Sequence, residues 1–165
     1  MRERAPKTWR YLQSHADLLE RRASSIYRKR PPFSIFGVGE YSFAQWKVAV
    51  SGFYKKLAFV EVGTFARKSI MLDDTVYFIP CHSPEEAQYL VSLLTTETAQ
   101  AFFSAFIFWD AKRPITVEVL RRLDLLALAR ELGSERTLAQ FYRPNVEYTT
   151  TEAQAKLTQR LLVLG

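Results

Sequence analysis

Cysteine, histidine and methionine are scarce in this chain: its 165 residues include one Cys, two His and two Met. A lone cysteine, Cys81, excludes an internal disulfide and fits a reducing cytoplasm. A metal centre needs clustered His, Cys or carboxylates. Cys81 and His82 are adjacent, so on a strand they project to opposite faces. His15 is the one other histidine that could act as base to a thiol nucleophile, so Cys81 is expected to be structural, buried or half-buried. Long apolar runs are also missing. The longest, Ala101 to Trp109, is about half of a bilayer span and is expected in the core. No apolar leader follows Met1, so nothing indicates export. Gly37-Val38-Gly39 begins like a dinucleotide loop, but Ser42 stands where the third glycine belongs, and a turn is expected instead.

What remains is ordinary in amount and uneven in placement. Apolar residues make up 48% of the chain and charged residues 24%, as in soluble globular proteins. The length suits one domain with a real core, or a core with a helical appendage. The net charge is +6, yet residues 1–56 hold 12 Lys/Arg against 4 Asp/Glu, a balance of +8. The remaining residues hold 11 against 13, a balance of −2. Such a polarised positive field attracts nucleic acid or an anionic membrane. The basic third has a strand-like pattern with turns, not an amphipathic helix with a basic face, which favours nucleic acid and argues against a membrane partner.

The pattern predicts an α+β fold: a small twisted mixed or antiparallel sheet, an N-terminal helix, and several C-terminal helices packed on the sheet. Trp9, Leu12, Ala16 and Leu19 share one face of a helix over Pro6 to Arg22, which Pro31-Pro32 keeps from continuing. Strands are expected at Phe33 to Phe36, Trp46 to Val50, Leu57 to Val62 and Thr75 to Ile79, the last closed by Pro80. Ser83-Pro84-Glu85-Glu86 has the form of a capped helix start running to about Leu94. A second helix follows over Glu97 to Phe106. Thr116 caps another, which breaks before Asp124 and resumes to Leu132, with Gly133 as its stop. Residues 1–142 form the expected main domain. Residues 143–165 form a linker and a last helix opened by Thr149 and Glu152.

The segment Arg28 to Lys56 carries basic clusters on both sides of aromatic and branched residues. Phosphate contacts are expected from Arg28, Lys29, Arg30, Lys47, Lys55 and Lys56. Tyr41 and Tyr54 are candidates to pack on sugars or bases, and Ser34 and Ser51 to hydrogen-bond phosphate or base edges. Alternation puts Trp46, Val48 and Val50 on one strand face, toward the core, and leaves Lys47 exposed. Arg67, Lys68, Lys112 and Arg113 add contacts from other loops. No catalytic cofactor or metal is expected in the chain. A competing reading is a small metal-dependent nuclease in which Asp73 or Asp74 and Asp110 hold magnesium and Lys112 lies near the attacking water. A third is a protein-interaction domain that docks through Phe102, Phe103, Phe106, Phe108 and Trp109. These aromatics are otherwise expected to pack against the sheet.

Read in order, FSIFGVGEYSF, WKVAVSGFYKK, LDDTVYFIP, SPEEAQYLVSLL, FWDAKRPIT and LRRLDLLALA resemble the C-terminal target-recognition region of TaqI-like adenine-N6 DNA methyltransferases and the single-chain restriction–modification enzymes related to them. The resemblance runs from about Trp9 to Arg130. It implies a module that holds duplex DNA in a cleft and reads its sequence. A separate catalytic domain or subunit would bind S-adenosylmethionine and methylate a flipped adenine. That domain's Asn-Pro-Pro-Tyr type motif is absent here, so the resemblance implies no methyltransferase activity for this chain alone. The chain also departs from the family's Leu-Asn-Ser after the first of these helices, with Leu94-Thr95-Thr96 in its place.

Overall fold

The computed structural model describes residues 2–27, 29–35 and 37–142. Arg28, and the linker and final helix expected over 143–165, lie outside the described residues. Among those described, the fold is α+β, with seven α-helices and two small antiparallel sheets. The chain divides into two compact units, Met1–Val38 and Gly39–Gly165.

In the first unit the expected helix is broken in two, α1 (Pro6–Ser14) and α2 (Ala16–Glu20). The break is at His15, and its cause is side-chain competition for the backbone. Ser14 Oγ donates to the Tyr11 carbonyl at 2.8 Å, and His15 Nδ1 lies 2.8 Å from the same oxygen. Beyond α2, Arg22 donates to the carbonyls of Leu19 and Ser34 and stacks its guanidinium 3.8 Å from the Tyr27 ring centre. The strand expected at Phe33 to Phe36 does not form over its described residues. Pro31 and Pro32 instead start a turn closed by the Ser34 N–H to the Pro31 carbonyl, and Phe33 sits at φ 65. A type II turn demands that left-handed third residue. The Trp9 ring, edge-on to Phe33 at 5.5 Å, helps to hold an aromatic side chain there.

The second unit is built on β1 (Trp46–Ser51), the central strand of a three-stranded sheet with order β2-β1-β5. β2 (Val60–Val62) is shorter than the expected Leu57–Val62, and Leu57 and Phe59 are buried in the segment leading into it. β3 (Thr64–Phe65) and β4 (Lys68–Ser69) form a separate hairpin. β5 (Val76–Cys81) runs past Pro80 instead of ending before it. Proline is tolerated there because β5 is an edge strand and needs no ladder donor on its outer side. The register pairs Val48 with Ile79 and Val50 with Tyr77.

These residues, with Cys81, face α3 (Pro84–Leu94) and α4 (Glu97–Ser104) and enclose Leu90, Leu94 and Phe103 in one core. The start of α3 follows its sequence signature: Ser83 Oγ accepts the Glu86 N–H, and Glu86 Oε2 accepts the His82 N–H at 2.6 Å. Thr96 caps α4 by accepting the Ala99 N–H and donates to the Leu93 carbonyl at 2.8 Å. Thr116 caps α5 (Val117–Leu120) as expected; after the expected break Asp124 caps α6 (Leu125–Glu131), and Gly133 follows α6. α7 (Glu135–Tyr142) was not legible as a helix; it buries Leu138, and Ser134 at its start meets the Tyr89 hydroxyl.

The aromatic cluster divides. Phe103 is buried against Phe59, with ring centres 5.7 Å apart, and Phe102 and Trp109 pack partly on the core. Phe106 and Phe108 are exposed, which corrects their assignment to the core. Both follow the end of α4, where the chain has left the face that α4 turns inward.

Lys47 is the main correction. It was expected at the surface and is 1% exposed. Alternation does send it away from the core helices, but the sheet's second face is also covered. The 3-10 turn Glu40–Phe43 lies there, with Ser42 buried and Tyr41 packed 5.9 Å from Phe78. A sheet covered on both faces loses the alternating burial that sequence patterns assume. Lys47 Nζ donates to the Ala44 carbonyl and, at 3.0 Å, to that of Ile70. The Phe78 ring centre is 5.7 Å away. Burial pushes the Lys47 ammonium below its ordinary 10.5. The unfolded chain therefore binds more protons between that lowered pKa and 10.5, so Lys47 makes stability rise with pH through this alkaline window. Urea unfolding across that range should show a steeper rise for the native chain than for Lys47→Met. Parallel curves would contradict the burial.

Candidate nucleic-acid interface

At the C-terminal end of β1, three loop segments converge. Ser51 Oγ accepts the Phe53 N–H and turns the chain out of the strand, while the Gly52 N–H bonds the Thr75 carbonyl at 2.8 Å. A Cβ on Gly52 would lie 2.9 Å from the Tyr77 ring and 3.3 Å from the carbonyl oxygens of Ile115 and Thr75. Only a glycine lets the segments around residues 52, 75 and 115 approach this closely. There Pro114 and Ile115 are buried and anchor the loop that carries Lys112 and Arg113.

The convergence produces one mixed surface. The Arg113 guanidinium lies 4.7 Å from the Phe53 ring centre. Tyr54 is 71% exposed, and Lys55, Lys56 and Lys112 are exposed beside these loops in the chain. The three lysines form no ion pair with a described residue. Asp73 is occupied: its Oδ1 accepts from both the hydroxyl and the N–H of Thr75. Those two bonds hold its carboxyl below the usual range, with a smaller contribution from the charge of Arg113. The carboxylate therefore braces a turn.

The other expected contacts lie elsewhere. Register places the β3–β4 hairpin, with Arg67 and Lys68, beyond the opposite end of β1, because Val62 pairs with Lys47. Both residues are exposed. Lys29 and Arg30 are exposed on the first unit. Ser34 Oγ donates to the Pro31 carbonyl at 2.6 Å, so that hydroxyl first serves its own turn. Tyr41 is half-buried on Phe78 and does not stand free as a stacking platform. Lys47, buried, belongs to no surface. Phe53 and Phe65 were missed. Each stands within three residues of a basic pair, and that local pattern was the available signal.

Nothing comparable gathers for catalysis. Among the described residues no three His, Cys, Asp or Glu side chains group as metal ligands, and Asp73 is committed to Thr75. An apolar cavity lined by Val48, Val50, Phe59, Tyr77 and Phe103 is core interior, without the convergent polar groups of a substrate pocket. No described helix is long and apolar enough to cross a membrane.

The chain is similar to a type II methyltransferase. It is 49% identical over 130 residues to the type II methyltransferase M.NspV of Nostoc sp. (strain ATCC 29411 / PCC 7524). The match covers 79% of this chain and 27% of that protein, so the chain spans about a quarter of the length of its relative. No protein-family model matches the chain, and no solved structure matches it. The similarity extends over most of this chain and one part of that methyltransferase.

If Arg113 and Phe53 hold the two loops together, their truncations should not add. A double-mutant cycle of Phe53→Ala and Arg113→Ala, read by urea unfolding, should give a coupling of about 0.5–1 kcal/mol. Simple additivity would mean that the two loops are held independently.

Proposed function

We propose that this chain is the duplex-DNA recognition part of a type II DNA methyltransferase or restriction–modification system. The observation that carries the reading is the Phe53–Arg113 contact at the end of β1, with the exposed Tyr54, Lys55, Lys56 and Lys112 next to it in the chain. Exposed lysines without carboxylate partners neutralise phosphates at little desolvation cost, and an exposed tyrosine offers a face for sugar or base. The similarity to about a quarter of a methyltransferase supports the same reading.

Catalysis and S-adenosylmethionine binding then belong to residues or a subunit outside this chain. The motifs quoted above favour adenine-N6 methylation of the TaqI-like type, in the cytoplasm. The partner is that catalytic part, with duplex DNA held between the two. Lys29 and Arg30 on the first unit would add phosphate contacts. The nuclease reading has no observation in its favour.

Fluorescence anisotropy with a duplex oligonucleotide should show binding that weakens steeply with salt. Replacing Lys55 and Lys56 together with Glu should weaken binding to all sequences. The slope of log affinity against log salt should become shallower by about 2, at about 0.9 per lost phosphate contact. Absence of binding at low salt would reject the reading, and an unchanged slope would reject this surface.

A further inference from the structure

The β3–β4 hairpin is built unlike an ordinary surface turn. Its two central residues, Ala66 and Arg67, have φ of 49° and 62°, the type I′ arrangement that favours Asn-Gly. Neither residue relieves the left-handed strain, which runs to about 1–2 kcal/mol per residue. The hairpin has only two residue pairs, Thr64 with Ser69 and Phe65 with Lys68. So short a ribbon is marginal alone, and it is held at its root. Ser69 Oγ donates to the Phe43 carbonyl at 2.7 Å, and Lys47 Nζ, from inside the sheet, donates to the Ile70 carbonyl. On the other leg Gly63 lets the Trp46 ring press against the backbone, where a Cβ would lie 2.6 Å from it. The tip is the reverse of its root: Phe65 is 78% exposed, and Arg67 and Lys68 are exposed beside it.

We propose that this hairpin enters the major groove of duplex DNA, with Arg67 reading a guanine edge and Phe65 contacting a thymine methyl. The inference rests on the DNA-binding reading above and adds a specific reader to it. A two-stranded ribbon fits the major groove, arginine makes two hydrogen bonds to guanine, and an apolar side chain meets the thymine methyl. The cations flanking Phe65 match a polyanion, whereas an apolar protein partner would leave them desolvated.

The test uses the full chain and a pool of duplexes with a randomised centre, sequencing the bound fraction. The unaltered chain should enrich a motif. Arg67→Gly, which places glycine at a left-handed position, should leave the melting temperature unchanged or raised and lose about tenfold of the preference at a guanine. Phe65→Ser should lose preference at a thymine. The Lys55→Glu, Lys56→Glu pair should weaken binding while the motif persists. If both hairpin variants enrich the same motif as strongly as the unaltered chain, the proposal is overturned. Binding with no base preference overturns the hairpin proposal alone. Absence of binding at low salt overturns the DNA reading and the hairpin role with it.

Discussion

A lysine amine closed inside the sheet organises the second unit. Taking a charge of this size out of water costs several kcal/mol, and hydrogen bonds to a charged donor return about 1.5–3 kcal/mol each. Lys47 makes two, to Ala44 and Ile70, and those carbonyls belong to the segment entering β1 and the segment leaving the hairpin. A neutral amine still carries two N–H donors, so loss of the proton would preserve both bonds while relieving the burial cost. The cross-link joins parts of the chain 26 residues apart, beneath the covered second face of the sheet.

With both faces of β1 committed, only its ends are free to carry function. One end carries the loop Ser51 to Lys56, locked to the Arg113 loop by close backbone contact at Gly52. The hairpin lies past the other. Six residues at about 3.3 Å each put the two ends roughly 20 Å apart. That separation is about six base pairs along a duplex at 3.4 Å per pair. The central strand thus separates the proposed phosphate-contacting surface from the proposed reader.

Local signals in the sequence were dependable wherever one residue does one job. Ser83 and Thr116 cap helices because their oxygens accept nearby N–H groups whatever lies around them. A small mixed or antiparallel sheet and a buried or half-buried Cys81 were also expected; the sheets are antiparallel and Cys81 is buried. Failures came where packing of one segment on another decided the outcome. Lys47 looked exposed because alternation cannot reveal that the 3-10 turn at Glu40–Phe43 would roof the second face. Phe33 looked like a strand residue because the contact with Trp9 is not visible in a local pattern. At the candidate site, the local pattern singled out Lys55, Lys56 and Tyr54 as candidates, and all three are exposed. The partnership of Phe53 with Arg113, 60 residues later, could not.

Cys81 has a further use. It is the one thiol of the chain, 5% exposed at the end of β5 and opposite Trp46 in the ladder. A reagent can reach it only when that edge strand parts from β1 or the core opens. Its rate of alkylation is therefore a native clock for strand opening, with no label needed. Clamping the sheet against a partner would slow that clock even if nothing touched the sulfur.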